Sequence, residues 1–191
     1  NHRANVILSS DIPGADYASV MRYLHAITGD VGFQKHGDRF VFIKEDSYVD
    51  GIHVYSHLAH HHAQPLGDRT LLIKSDDGKF VKDAFRHELA FVVGDVLFTG
   101  CAHNGILNIL ESIQEPIRLS IGGFHLLDSH LSEHYETDEQ LRDISSELAR
   151  RYPDMDFYTG HCTGEHCYGV LSEKKGLQLH QFHCGDEIGI G

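Results

Sequence analysis

The second half of the chain alternates short apolar segments with helical patterns, and this alternation constrains the fold more than any other feature. Val96–Phe98, Arg118–Ile121 and Met155–Tyr158 are apolar or aromatic segments of strand length. Helical patterns follow them: Ile106–Gln114 ends before Pro116, a second helix begins at the capping box of Thr137 and Gln140, and a third runs to about Lys175. Strands that alternate with helices predict an α/β fold with parallel strands, whose carboxyl ends share one edge of the sheet.

The first half is predicted to be rich in β-structure, with one helix. The predicted strands are Ala4–Ser9, Arg39–Lys44, Gly51–Tyr55, Thr70–Lys74, Glu88–Val93 and Asp95–Thr99, and the helix is Tyr17–Ile27. Asp76–Lys79 carries an Asp-Gly hairpin turn, and Leu177–Phe182 and Ile188–Ile190 are predicted to be closing strands. With 191 residues, of which 41% are apolar, the chain is predicted to form a single domain over residues 1–191.

Charge and hydropathy argue against several classes of function. The chain has 16 Lys and Arg against 28 Asp and Glu, a formal charge of −12, which is not the balance of a general nucleic-acid or membrane-surface binder. No apolar run reaches about 18 residues, and no signal peptide is recognisable at the start. We therefore expect a cytoplasmic protein whose four cysteines are reduced thiols.

Histidine accounts for 17 residues, and three of these histidines occupy equivalent places. His103, His125 and His161 each lie just after a predicted strand and beside a glycine. Loops at one sheet edge converge, and imidazole is a ligand suited to Zn, Mn, Fe or Ni. The pattern therefore predicts a divalent transition-metal centre, most simply zinc. The alternative is that each is an ordinary hydrogen-bonded loop residue.

Three motifs in this order resemble the metallo-β-lactamase superfamily. They are Val96–Ile106 (V-L-F-T-G-C-A-H-N-G-I), Gly122–Leu126 (G-G-F-H-L) and Gly160–Gly164 (G-H-C-T-G). Within the superfamily they resemble the branch of metal-dependent hydrolases labelled 7,8-dihydropterin-6-methyl-4-(β-D-ribofuranosyl)aminobenzene-5′-phosphate synthase-like, as does Asp83–Ala90 (D-A-F-R-H-E-L-A). The resemblance implies an αββα sandwich with a metal centre, usually of two ions, at one sheet edge. It also implies hydrolysis of a small-molecule substrate, a phosphoester or pterin-linked compound, through a metal-bound hydroxide.

The resemblance also suggests roles for individual residues. His103 and His161 match metal ligands of the family, and His125 is placed at the site as a ligand of either metal or substrate. Cys101 occupies the place where many members have a bridging Asp, so its thiolate either binds metal or packs. Asp83 and Glu88 either orient ligands, contact substrate or are simply solvated. No residue is assigned as the catalytic base.

The superfamily signature His-x-His-x-Asp-His is absent from this sequence, and the nearest string is His57–His62. In the family the signature comes before a strand like Asn5–Ser9, so residues 1–191 are interpreted as the C-terminal two-thirds of the fold. We expect the remaining segment on the same or another chain, with a homo-oligomer as a further option, and do not count on activity from these residues alone. The alternative function is a non-catalytic metal- or partner-binding module that retains the fold.

Two other groups allow functional interpretations. The loop with His53, His57 and His60–His62 is interpreted as a solvated loop near the site mouth, with a substrate-facing lid or adventitious metal binding as alternatives. Cys162, Cys167 and Cys184, with a histidine, offer the residue types of a structural zinc site, although Cys162-x4-Cys167 is not the tight C-x2-C spacing. Otherwise Cys167 is predicted to face the core and Cys184 to pack in a strand.

Overall fold

The computed structural model describes residues 5–11, 40–75, 77–130 and 133–190. The predicted helix Tyr17–Ile27 lies outside these ranges. The strands are β1 (Val6–Ser9), β2 (Phe40–Ile43), β3 (Ser47–Val49), β4 (Ile52–Tyr55), β5 (Leu72–Lys74), β6 (Phe80–Lys82), β7 (Ala90–Val93), β8 (Val96–Phe98), β9 (Leu119–Ile121), β10 (Asp156–Thr159) and β11 (Gln178–Gln181). The α-helices are α1 (Ile106–Ser112), α2 (Asp138–Arg151) and α3 (Glu165–Ser172), and a 3₁₀ helix spans Leu66–Thr70.

Seven of the described strands form one mixed sheet in the order β11-β10-β9-β8-β7-β4-β3. The strands β8, β9, β10 and β11 run parallel to one another, as the alternation of strands and helices predicts. The strands β7, β4 and β3 continue the sheet in antiparallel fashion. The carboxyl ends of β8, β9 and β10 therefore lie side by side at one edge.

The helices bury one face of this sheet. A single core joins residues of β7, β8 and β10, among them Val92, Leu97 and Phe157, to Ile109 of α1 and Leu148 of α2. The predicted capping box at the start of α2 is present, with both reciprocal hydrogen bonds between Thr137 and Gln140. In the described part of the chain, no helix is both long and apolar enough to cross a membrane.

The opposite face of the sheet carries a second apolar row. Phe91, Phe98, Ile121 and Tyr158 are paired one after another across β7, β8, β9 and β10, so their side chains share that face. The parallel pair β1–β2 is a separate two-stranded sheet, and Ile7 of β1 lines a cavity together with Phe91. Both faces of the central sheet are thus apolar, as expected for a sheet that lies between two layers.

Two sequence predictions differ from the structure. The segment Ile188–Ile190, predicted to be a closing strand, has no regular structure and pairs with no strand of the described residues. Conversely, the three-residue β3 was not predicted; it pairs with β4 across Asp50 and Gly51, which have φ of 51° and 84°. Such positive values at both central positions are typical of a tight hairpin turn. Short edge strands of this kind carry too little pattern to be recognised.

Candidate metal centre

The loops after β8, β9 and β10 bring histidines and cysteines together at one edge of the sheet. Potential ligand atoms of Cys101, His103 and His125 all lie within 4.8 Å of one another. A second group, Cys101, His161 and Cys162, meets the same limit and shares Cys101 with the first. The structure therefore brings together His103, His125 and His161, inferred from the strand ends, with Cys101, which the family resemblance suggested.

Unfavourable backbone conformations concentrate at this edge. Five described residues other than glycine have positive φ, and four of them, Phe85 (49°), Ala102 (57°), His125 (50°) and His161 (57°), lie in or against the site. Each such conformation costs free energy and persists only where the surrounding structure holds it. Residues of this kind cluster at functional sites. The strain therefore points to a required placement of these side chains.

A fully buried carboxylate, Asp68 in the 3₁₀ helix, lies beneath two of the histidines. Its Oδ1 is 2.6 Å from Nδ1 of His103 and 3.2 Å from Nε2 of His125, while its Oδ2 has no hydrogen-bond partner. Sequence reasoning missed Asp68, because a lone Asp in a Pro- and Gly-containing loop has the pattern of a surface turn. No signal in the sequence could have identified it.

The contact with Asp68 determines which nitrogen of His103 is free. Nδ1–H of His103 donates to the carboxylate, so its Nε2 keeps an available lone pair, the arrangement usual for metal-bound histidine. His125 is buried, and burial together with the neighbouring His103 lowers the pKa of its imidazole. A neutral imidazole is the form that binds a metal.

Glu88 fixes the loop that carries His103. Its two carboxylate oxygens accept the backbone N–H groups of His103 and Asn104, each at 2.7 Å, and the side-chain amide of Asn104 at 2.8 Å. Glu88 thus orients the loop through the backbone and is 9% exposed, so it is not one of the solvated acids. Its carboxylate is fully engaged in these contacts.

Asp83 contacts the site indirectly, through Phe85. Its Oδ1 accepts the backbone N–H of Phe85 at 2.7 Å, which holds Phe85 in its positive-φ conformation. The Phe85 ring stacks on His103, with ring centroids 4.1 Å apart and planes at 4°. Asp83 therefore supports the orientation of His103 by way of Phe85.

Two glycines after β9 allow the loops to approach closely. A Cβ at Gly122 would collide with Thr99, and one at Gly123 would collide with Sγ of Cys162. The G-G-F-H motif therefore has a steric cause, since side chains at either position would separate His125 from the neighbouring loops.

We expect Gly123→Ala to destabilise the protein by about 1 to 3 kcal/mol, because the added methyl group overpacks a site that has no space for it. Urea unfolding followed by circular dichroism measures the change. The matched control is Gly169→Ala in α3, where a Cβ meets nothing within 4 Å and alanine is favoured by about 0.5 to 1 kcal/mol. Equal stability of the two variants would contradict this steric account.

A cavity of 280 Å³ opens beside the cluster. Cys101 and His103 line it together with His87, and Ile7 and Phe91 provide apolar walls. A larger cavity of 520 Å³ lies between the His62–Leu66 segment, the start of α1 and α2, but none of the four predicted site residues Cys101, His103, His125 and His161 lines it. Of these two cavities, the smaller one is therefore the one that adjoins Cys101 and His103.

The histidine-rich loop faces other partners. His53 lies in β4 and pairs with Glu115, while His61 and His62 lie 2.8 and 2.9 Å from the carboxylate of Glu111. Hydrogen bonds from His62, Arg151 and His61 lower the pKa of Glu111 to about 2. None of these histidines belongs to a potential metal group of the described residues.

The alternative zinc site of Cys162, Cys167 and Cys184 is not assembled. Cys167 is buried in the core, as predicted, and its thiol lies 3.4 Å from the carbonyl oxygen of Leu127. Cys184 was predicted to pack in a strand, but it is exposed and follows the end of β11. Cys162 instead lies with Cys101 and His161, because α3 begins at Glu165 and turns Cys167 away from it.

The residues at the edge fit a bound metal ion. Both ring nitrogens of His125 are buried without a hydrogen-bond partner, although buried polar atoms are nearly always paired. Zinc accepts mixed sets of imidazole nitrogen and thiolate sulfur. An ion at His103, His125 and Cys101 would account for the unpaired nitrogen that faces away from Asp68.

Comparison with known proteins supports the fold. No protein-family model matches the chain. The chain is 32% identical over 121 residues to the uncharacterised protein MJ0448 of Methanocaldococcus jannaschii, a match covering 60% of this chain and 41% of that protein. The structure is similar to that of Tm1679, a metal-dependent hydrolase of the beta-lactamase superfamily, with a TM-score of 0.64, 23% identity, and coverage of 83% of this chain and 62% of the other. The chain thus has the metallo-β-lactamase-like α/β fold predicted from its motifs, over less than two-thirds of either relative's length.

Proposed function

We propose that the protein is a metal-dependent hydrolase of the metallo-β-lactamase superfamily. The observation that carries this proposal is the buried His125, whose two ring nitrogens lack hydrogen-bond partners beside Cys101 and His103. The fold shared with Tm1679, which is described as a metal-dependent hydrolase, supports it. The domain boundaries 1–191, the branch of the superfamily, a homo-oligomeric state and a cytoplasmic location stay predictions.

Residues of this chain would bind the metal and orient its ligands. His103, His125, His161 and Cys101 supply the donor atoms, and zinc suits this mixture of nitrogen and sulfur. Asp68 keeps the proton of His103 on Nδ1, and Glu88 holds the loop backbone. When bound, the metal lowers the pKa of water and polarises a phosphoryl or carbonyl oxygen.

The cavity supports a small substrate with an anionic group and an apolar part. His87 lines the cavity and is partly exposed, so its imidazole can donate to an anionic oxygen. Phe85 and Phe91 offer aromatic surface on which a planar ring can pack. A phosphoester or a pterin-linked compound, the substrate class that the sequence motifs imply, has these features.

Hydrolysis of a panel of substrates tests the proposal. We expect the full-length protein to hydrolyse p-nitrophenyl phosphate or bis(p-nitrophenyl) phosphate when loaded with zinc, manganese or nickel, with p-nitrophenyl acetate included for carboxyl esters. Removal of the metal with a chelator should reduce the rate at least about 100-fold, because the reaction depends on the metal's charge.

The same panel distinguishes the alternative function. A chain that binds about one equivalent of metal but never exceeds the rate of free metal in solution is a binding module, and the hydrolase proposal is then wrong. The absence of a His-x-His-x-Asp-His sequence in these residues is the observation that favours the module.

A further inference from the structure

Two thiols and an imidazole lie together on the solvent side of the cluster. Sγ of Cys101 is 3.8 Å from Nδ1 of His161, and the ligand atoms of Cys101, His161 and Cys162 all lie within 4.8 Å of one another. Cys162 is the member of this group to which neither the sequence motifs nor the proposed function gives a role. Its neighbours in the alternative zinc site, Cys167 and Cys184, lie elsewhere.

The distances are close to those of a tetrahedral zinc site. Zinc binds sulfur at about 2.3 Å and nitrogen at about 2.0 Å, so the sulfur and nitrogen of two ligands in a tetrahedral site are about 3.5 Å apart. The observed 3.8 Å between Cys101 and His161 requires only a small adjustment. Side-chain rotation over this distance leaves the loop backbones in place.

The local structure holds Cys162 at this position. His161, immediately before it, has a φ of 57°, and Gly123 has no Cβ, which leaves the space that Sγ of Cys162 fills. The backbone conformation and the missing Cβ therefore hold the thiols of Cys101 and Cys162 side by side.

We propose that Cys101, His161 and Cys162 form a thiol-rich zinc position beside the one formed by Cys101, His103 and His125. His161 is exposed, whereas His125 is buried, so this position faces solvent. Three protein ligands with an open fourth place are typical of catalytic rather than structural zinc sites. The inference rests on the proposed function in that both place metal at this edge, and it adds Cys162 as a ligand.

Cobalt, which substitutes for zinc, tests the role of Cys162. The reduced chain, prepared without metal, is titrated with Co²⁺ in the absence of oxygen, and the thiolate-to-cobalt absorption band in the near ultraviolet is recorded. We expect a strong band in the natural chain, a band weaker by about a third to a half in Cys162→Ser, and an unchanged band in the matched control Cys184→Ser. Cysteine 184 is exposed and outside both groups.

A band of equal strength in Cys162→Ser and Cys184→Ser overturns the inference, provided that both variants keep the circular dichroism of the natural chain. If Cys162→Ser does not fold, protection in the natural chain decides instead. Zinc should slow alkylation of Cys101 and Cys162 about tenfold, measured by peptide mass, while Cys184 reacts at the same rate with and without zinc. Zinc binding at Cys162 is contradicted if zinc does not slow its alkylation, or slows it no more than the alkylation of Cys184.

The experiment also separates this inference from the proposed function. Failure of the natural chain to bind any cobalt overturns both, whereas cobalt bound through His103 with no contribution from Cys162 overturns only the thiol-rich position. A thiolate band that depends on Cys162, in a chain without hydrolytic activity, supports this position and contradicts the hydrolase. Finding Cys101 and Cys162 joined by a disulfide that zinc cannot prevent under reducing conditions overturns the inference.

Discussion

His103→Ala is expected to abolish tight metal binding at the position formed by Cys101, His103 and His125. The imidazole of His103 contributes a nitrogen to the group with Cys101 and His125, and its orientation is fixed by Asp68, Phe85 and the loop that Glu88 holds. Removing a ligand that is held in place in advance should weaken metal affinity by at least about 100-fold, more than the loss of an orienting group. Zinc bound after dialysis, measured by plasma emission, should fall by about one equivalent, while zinc at Cys101, His161 and Cys162 is retained.

The matched control is another histidine with a carboxylate partner. His62 lies 2.9 Å from Glu111 and lines the larger cavity, but it belongs to neither potential metal group. His62→Ala should therefore keep the zinc of the natural chain. Equal loss of zinc in both variants would mean that histidines outside the strand ends hold the metal, and our assignment would be wrong.

Parallel strands explain why part of the site could be predicted from sequence. The carboxyl ends of β8, β9 and β10 must share an edge, so any residue just past them is brought to that edge. Cys101, His103, His125 and His161 are in such places, and their local order with glycine is visible in the sequence. The short apolar strands that position them are equally visible, because alternation with helices is a pattern of neighbouring residues.

The remaining features depend on contacts that no local pattern encodes. Asp68 lies 35 residues before His103, and its burial arises only when the 3₁₀ helix packs against the loops of the sheet edge. The alternative zinc site grouped Cys162 with Cys167 and Cys184, which are nearer in the chain, whereas in the structure Cys162 contacts Cys101, 61 residues away. Asp68 and Cys162 were not recognised as members of the site because their partners are far away in the sequence.

Asp68→Asn should weaken metal binding while leaving the metal-free fold as stable as before or more stable. Asp68 is fully buried beside the imidazoles of His103 and His125, and among the described residues no lysine or arginine forms an ion pair with it. An unneutralised buried carboxylate is costly, so its replacement by a neutral group of the same shape removes that cost. The amide leaves the histidines without the carboxylate that orients them, which should reduce zinc affinity about 10- to 100-fold.

Two measurements separate this positioning role from a structural one. Competition with a zinc-binding dye gives the zinc affinity. ¹⁵N NMR of the histidine rings shows which nitrogen of His103 carries the proton. The proton should be on Nδ1 in the natural chain and should divide between Nδ1 and Nε2 in Asp68→Asn. The control is Asp154→Asn, an exposed residue, which should change neither. If Asp68 served only the fold, Asp68→Asn would lower the unfolding temperature and leave zinc affinity and the tautomer unchanged. If Asp68→Asn binds zinc less tightly but has an unfolding temperature at least as high as the natural chain, the buried carboxylate favours the metal site at the expense of stability. This relation is expected where a charge is retained for function.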